Sequence, residues 1–129
     1  MKKIYTLKVY PNGLGREVYR VFEISGENTL DDLCRAILDY FEFYDEHMYE
    51  FSMKNKMYEY GNYVSQSEYD EPSTDIALDK LGLAKGQKFL FHYDFGDDWA
   101  FTVNVQKISE SEEYKETTLL KEKGEIRQY

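Results

Sequence analysis

Residues 88–108 read KFLFHYDFGDDWAFTVNVQKI, and this stretch decides the fold. It consists of two runs of aromatic and β-branched side chains, which pack well across a pleated sheet. Between the runs, Gly96 accepts the positive φ of a tight turn, and Asp97 and Asp98 can bond local backbone N–H groups. The stretch therefore predicts a β-hairpin. Alternation places the large side chains of each strand on one of its faces: Phe89, Phe91, Tyr93 and Phe95 in the first strand, and Trp99, Phe101, Val103 and Val105 in the second.

A second hairpin is predicted at the start of the chain. Residues 4–10 alternate between apolar and polar side chains, residues 11–15 read PNGLG, and residues 17–24 form the second strand. Two such strands around a glycine-rich turn are typical of a hairpin. Arg20 interrupts the apolar face of the second strand, and we expect its guanidinium to reach the edge of the sheet.

The clearest helix of the chain is predicted at residues 30–41. Asn28 or Thr29 can cap its first turn. Cys34 lies on its apolar stripe with no activating partner nearby in sequence, so we interpret it as a buried, unreactive thiol and not as a nucleophile. The stripe recurs at i, i+3, i+4, i+7, i+8 and i+11, as Leu30, Leu33, Cys34, Ile37, Leu38 and Phe41.

The remaining segments predict strands, a loop and a short helix. Residues 48–53 predict a third strand, residues 76–81 a short helical turn, and residues 117–121 suit one more strand. Residues 54–75 form a long polar loop, whose tyrosines either stack on a ligand or cover the sheet. Covering is the favoured interpretation. The tyrosines concerned are Tyr58, Tyr60, Tyr63 and Tyr69.

The order of these elements predicts an α+β fold, β-β-α-β-(short helix)-β-β. A hairpin, a helix across the sheet and further strands on the same sheet resemble the β-grasp plan. We therefore expect a β-grasp-like mixed sheet with one main helix packed across it. At 129 residues the chain suits one domain, 1–129, with a core at about 4–108 and residues 109–129 as a tail or extra strand.

Composition and charge restrict the partners. The formal net charge is −9 and the isoelectric point is near 4.7, which argues against direct binding of nucleic-acid phosphates or of an anionic membrane. The negative charge does not exclude a basic partner. The single cysteine excludes an internal disulfide, and no apolar run suits a membrane span or a signal peptide. We expect a cytoplasmic protein that makes no contact with a membrane.

Several short motifs resemble the plasmid pRiA4b ORF-3-like family, whose members also occur as passenger proteins of an insertion element. The most specific is YDFGDDW at 93–99, and weaker ones are YR at 19–20, TL at 29–30 and HMYEF at 47–51. The resemblance implies an α+β domain associated with plasmids or transposons, and it brings no catalytic residue. Cys34 and Phe101 stand where the family often has histidine, and Tyr19 stands where it usually has tryptophan.

The sequence gives little support to catalysis. It contains no P-loop, no dinucleotide-binding glycine motif and no Cys/His metal pattern. The residues that a metal site or a hydrolase would use are Asp45, Glu46, His47, His92, Asp94, Asp97 and Asp98. No pair of them has the spacing of ligands on a helix, and the turn explains the last two. We predict no catalytic, metal or cofactor-binding residue and no cofactor.

Three hypotheses for the function follow. The favoured one is a non-catalytic interaction module with an unknown protein partner. The alternative is a nucleic-acid-related role, as a DNA mimic or as an accessory protein of DNA transactions. A metal-dependent enzyme comes third, with a pocket lined by Asp94, His92 and His47. The predicted interaction surface combines aromatic and acidic residues: Asp94, Asp97, Asp98, Trp99, Tyr58, Tyr60 and Tyr63.

Overall fold

The computed structural model describes residues 1–67 and 72–129, so Tyr69 of the predicted loop lies outside the described residues. The described chain forms, in order, β1 (Lys2–Pro11), β2 (Tyr19–Ser25), α1 (Leu30–Phe41), β3 (Tyr49–Ser52), β4 (Tyr63–Val64), a 3-10 turn (Leu78–Lys80), β5 (Lys88–Tyr93), β6 (Trp99–Ser111) and β7 (Thr118–Lys123).

The strands form one seven-stranded sheet in the order β4-β3-β5-β6-β1-β2-β7. The predicted hairpin of residues 88–108 is confirmed as β5 and β6, in which Phe91 pairs with Phe101 and Tyr93 pairs with Trp99. The N-terminal hairpin is confirmed as β1 and β2. β6 is 13 residues long and pairs with β5 on one side and β1 on the other. It therefore joins the two hairpins into a single sheet.

The expected α+β fold with a β-grasp-like mixed sheet is wrong. A mixed sheet contains parallel pairs, whereas all neighbouring strands of the described sheet are antiparallel. The fold is dominated by its sheet, and α1, with 12 residues, is the single α-helix of the described chain. The order of elements did not determine which strands are neighbours. After α1 the chain crosses to the far side of β5, and β6 takes the place beside β1.

The apolar stripe of α1 packs on one face of the sheet, and all its predicted members from Leu30 to Phe41 are buried. Thr29 starts the helix with a capping box. Its hydroxyl accepts from the backbone N–H of Asp32 at 3.1 Å, and the Asp32 carboxylate accepts from the Thr29 N–H at 2.9 Å. The predicted burial of Cys34 is confirmed. Burial raises the pKa of its thiol, so the thiol stays protonated at neutral pH.

Arg20 lies at the C-terminal end of α1, where the helix itself supplies no basic residue. Its side chain is buried, and its Nε donates to the carbonyl oxygen of Tyr40 at 2.9 Å. Its Nη1 donates to the carbonyl oxygens of Tyr19 at 2.9 Å and Lys123 at 3.0 Å. The guanidinium lies 4.6 Å from the centroid of the Phe41 ring. A cation at this end favours the helix dipole, and the bond to Lys123 ties the edge strand β7 to the sheet.

The two faces of the sheet differ in their cover. The face under α1 holds the apolar core, including Phe22, Phe51, Phe91 and Phe101. The opposite face is partly exposed along β1, β2 and β6. On that opposite face, the loop between β3 and β4 contacts β3 at Glu50 and β5 at His92. Within the described residues, no helix combines the length and apolarity needed to cross a membrane.

Candidate functional site

A buried imidazole between two carboxylates is the centre of the polar structure. His92 of β5 lies directly opposite Glu50 of β3 in the strand register. The His92 side chain is fully buried; its Nδ1 lies 2.6 Å from Oε2 of Glu50, and its Nε2 lies 2.6 Å from Oδ1 of Asp98. An ionised carboxylate only accepts hydrogen bonds. Both ring nitrogens therefore act as donors when both carboxylates are ionised.

The loop between β3 and β4 completes this network. The backbone N–H of Tyr58 donates to Oε2 of Glu50 at 2.8 Å, and Nδ2 of Asn62 donates to Oε1 of Glu50 at 2.9 Å. The hydroxyl of Tyr58 lies 2.7 Å from Oδ1 of Asp98 and 3.0 Å from the carbonyl oxygen of Phe95. The Glu50 carboxyl group thus accepts from three different groups, which satisfies both oxygens of a residue that is 2 % exposed.

Hydrogen bonding within the network shifts the pKa values of its two outer members. The bond to Asp98 raises the pKa of Tyr58 to about 12, because loss of the phenolic proton would place two negative charges in contact. The bonds from Tyr58 and then from His92 lower the pKa of Asp98. At neutral pH the pair therefore consists of a neutral hydroxyl donor and an ionised carboxylate.

A surface groove lies beside the network. Its volume is about 380 Å³. Of the residues that the structure describes, three aromatic rings and two carboxylate side chains contribute to its wall, and neither lysine nor arginine does. The lining residues are Glu50, Tyr58, Glu59, Tyr60, Gly61, Asn62, Val64, Pro72 and Phe95. The groove is therefore an aromatic and acidic environment.

Four of the predicted interaction residues lie at or near this groove. Tyr58 and Tyr60 line it and are 60 % and 86 % exposed. Asp98 is bonded to Tyr58, and its side chain is 46 % exposed. Asp97 is exposed in the turn between β5 and β6. The structure thus brings Tyr58 and Asp98 into contact across 40 residues of sequence.

The other three predicted residues face elsewhere. Asp94 is buried with φ of 66°. Its Oδ1 accepts from the N–H groups of Gly96 at 3.0 Å and Asp97 at 3.3 Å, so its side chain stabilises the turn between β5 and β6. Trp99 is half-buried against Phe43 on the helix side, with ring centroids 4.9 Å apart. Tyr63 is half-buried against the apolar core.

A second polar cluster joins Tyr129 to His47, Glu46 and Asp94. Nε2 of His47 lies 2.9 Å from the hydroxyl of Tyr129 and 3.5 Å from Oδ2 of Asp94. The Tyr129 hydroxyl donates to Oε1 of Glu46 at 2.8 Å, and this bond raises the pKa of Tyr129 to about 12. His47 and His92 thus belong to separate networks. Among residues 1–67 and 72–129, no three His, Cys, Asp or Glu side chains are grouped so as to hold a metal ion.

Sequence reasoning missed Glu50, Asn62 and Glu59. Glu50 carried a usable signal, because it is an acidic residue in the middle of the strand MYEFSM. A carboxylate on a buried strand requires hydrogen-bond donors. Its partner His92 is 42 residues away, and only the strand register brings the two together.

This combination defines a class: an antiparallel-sheet protein with one main helix and a histidine–carboxylate network under a surface groove. The chain belongs to the plasmid pRiA4b ORF-3-like protein family, whose model matches residues 3–126. The predicted resemblance is thereby confirmed.

The fold is also present in a solved structure of a relative. The crystal structure of a protein of unknown function, MM3350 from Methanosarcina mazei Go1, is similar with a TM-score of 0.76 at 25 % sequence identity. The match covers 95 % of this chain and 70 % of that chain. A comparison with curated protein sequences found no match.

Proposed function

We propose that this protein is a non-catalytic interaction module that receives a lysine or arginine side chain of a protein partner in the groove beside Tyr58 and Tyr60. The observation that carries this proposal is the lining of the groove, which combines aromatic rings and carboxylates without a cation. The family takes its name from a plasmid reading frame, which supports a role in the biology of mobile elements.

The chemistry of the groove favours a cation over other side chains. Ring faces attract ammonium and guanidinium groups, most strongly where water is partly excluded. Glu59 and Asp98 add negative charge beside those rings. The volume of about 380 Å³ lies near the lower end of the range for ligand pockets, roughly 300–1,000 Å³. One long side chain fits this space.

The network beneath the groove holds the surface in its binding geometry. The Tyr58 ring lies edge-on to two neighbouring rings. Its centroid is 4.9 Å from the centroid of the His92 ring and 5.4 Å from that of the Phe95 ring. Its hydroxyl is fixed on Asp98. A ring that is already ordered loses little conformational entropy when a partner binds. The histidine and its carboxylates therefore act as support for a binding surface, which agrees with a role without catalysis.

Calorimetric titration with two matched peptides tests the proposal. One peptide carries a central arginine between glycines, and the other carries citrulline, which keeps the shape and removes the charge. We expect binding of the arginine peptide only. Tyr60→Ala should weaken it about two- to fivefold, the effect of about 0.5–1 kcal/mol from one exposed cation–π contact.

Tyr44→Ala is the matched control, because Tyr44 is 67 % exposed and does not line the groove. It should leave the affinity unchanged. Equal binding of the citrulline peptide, or equal losses in Tyr60→Ala and Tyr44→Ala, would exclude a cation site in this groove.

A further inference from the structure

The sheet face away from α1 carries a row of lysines that crosses five strands. Lys88 of β5 pairs with Asn104 of β6, which pairs with Lys8 of β1. Lys8 pairs with Val21 of β2, which pairs with Lys121 of β7. Paired residues lie on the same face, and neighbouring strands are about 4.8 Å apart. Successive lysines of the row are therefore about 10 Å apart at their backbones.

Two tyrosines lie among these cations. The Nζ of Lys8 lies 4.6 Å from the ring centroid of Tyr19 and 5.5 Å from that of Tyr10. The Nζ of Lys121 lies 5.8 Å from the ring centroid of Tyr19. Lys123 pairs with Tyr19 in the next row. Arg16 lines two shallow depressions on this face together with Lys8.

In the part of this face around the lysine row, the local charge is opposite to that of the whole protein, whereas the acidic groove lies over β3 and β5 of the same face. Five cations lie on it or at its rim: Lys8, Arg16, Lys88, Lys121 and Lys123. Across the described parts of the chain, none of the five forms an ion pair. Among the described residues, Glu17 is the one acidic residue that lines either depression, and Glu23, further along β2 on the same face, is paired with Lys115. The net charge of −9 is a sum and does not describe this face, since partners respond to the local potential.

The geometry points to a binding site for single-stranded nucleic acid on this face, separate from the groove beside Tyr58 and opposite to it in charge. Lysines that follow a flat sheet can contact successive phosphates, and exposed rings between them can stack on bases. Tyr10 and Tyr19 supply those rings, each half-buried with the rest of the side chain in reach of solvent. An acidic peptide or an anionic membrane would engage the lysines and leave the rings without a stacking partner. The combination of both groups therefore favours nucleic acid.

The salt dependence of binding follows from the number of cations. Each phosphate contact with a single strand contributes about −0.7 to the slope of log affinity against log salt. All five cations together set a limit of about −3.5. Affinity should then fall on the order of a hundredfold between about 50 mM and about 200 mM salt.

Fluorescence anisotropy with a labelled oligothymidylate of about 15 nucleotides tests the inference. We expect salt-dependent binding by the full chain. Lys8→Glu/Lys121→Glu should weaken it at least tenfold. Lys80→Glu/Lys85→Glu makes the same change of net charge at exposed lysines outside the row, and it should change the affinity less than twofold.

Two further variants separate binding from folding and phosphate contact from stacking. Lys121→Gln/Lys123→Gln alters only exposed residues of the edge strand β7, so it keeps the fold. It should lower the magnitude of the salt slope by about 1.4. Tyr19→Leu should weaken binding about five- to a hundredfold, the range for one lost stacking contact, with an unchanged slope.

Several results would overturn the inference. These are no binding at low salt, equal losses in the row variants and in the charge-matched control, or tighter binding of polyglutamate or of phosphatidylserine vesicles than of the oligonucleotide. Because the groove variant Tyr60→Ala leaves the lysine row intact, it should bind the oligonucleotide like the wild type.

Discussion

Replacement of Glu50 by alanine should destabilise the protein strongly. The carboxylate is 2 % exposed and accepts from His92, Asn62 and the backbone of Tyr58. The substitution removes the acceptor of all three of these donors at once. It leaves a buried imidazole with a donor that has lost its partner.

The expected cost is about 3–5 kcal/mol, because three donors lose their acceptor, each unsatisfied buried group costs about 1–3 kcal/mol, and the site relaxes in part. For a chain of 129 residues this corresponds to a decrease in melting temperature of about 10–20 °C. Urea unfolding followed by circular dichroism gives the free energy of unfolding directly. Glu59→Ala is the matched control, since Glu59 is an exposed neighbour and should change stability by less than about 0.5 kcal/mol.

A double-mutant cycle locates the cause of the loss. Glu50→Leu/His92→Phe removes both partners and replaces them with apolar side chains, so it should cost less than the sum of the single variants by about 0.5–3 kcal/mol. A cost below about 1 kcal/mol for Glu50→Ala, or additive effects in the cycle, would refute the view that a buried hydrogen-bonded network holds this region.

Three further predictions concern other parts of the structure. The Asp98 bond raises the pKa of Tyr58 to about 12, so that bond stabilises the protein fully below pH ~10 and is lost as the pH rises towards ~12. The difference in ultraviolet absorbance between wild type and Tyr58→Phe should therefore titrate near the raised pKa. A midpoint near ~10 would contradict this prediction. Arg20→Met removes the bonds to three carbonyl oxygens and should cost about 2–4 kcal/mol in urea unfolding, whereas an unchanged midpoint would show that these bonds contribute nothing. Gly124→Ala places a Cβ 2.2 Å from the carbonyl oxygen of Glu17 at φ of +70°. Relative to wild type, amide hydrogen exchange should therefore become faster in β7 and stay unchanged in β5. An equal change in both strands would argue against a local clash.

The sequence predicted the elements whose causes are local. The hairpin of residues 88–108 follows from two alternating aromatic runs and a Gly-Asp-Asp turn, all within 21 residues. The helix from Leu30 to Phe41 follows from its periodicity and from the Thr29 cap. Each of these signals depends on side chains a few positions apart, so no knowledge of the remaining chain was needed.

The pairing of the strands could not be predicted in the same way. The β-grasp expectation failed because the order of elements leaves open which strand becomes the neighbour of β1. On the side away from β2, the neighbour of β1 is β6, about a hundred residues later in the chain. Such a choice depends on the fit of whole faces, and alternation along single strands does not determine it.

In the candidate site, too, the residue types could be predicted from the sequence and the contacts between distant residues could not. Asp98 and Tyr58 were singled out as polar or aromatic residues in a turn and a loop, but their contact spans 40 residues. The lysines of the row lie on three separate segments, β1, β5 and β7, and only the register aligns Lys8 with Lys121 through Val21. A total charge contains no positions, so the argument from net charge against phosphate binding does not address the local charge around this row.

Nuclear magnetic resonance of isotope-labelled protein tests most directly whether the groove beside Tyr58 and Tyr60 receives a cationic side chain. Titration with the arginine peptide should shift the backbone amides of residues 58–62 and 95–98, and the citrulline peptide should shift none of them. Shifts confined to β1, β2 and β7, shifts of equal size with both peptides, or no shifts at all would contradict the proposal that this groove receives a cationic side chain.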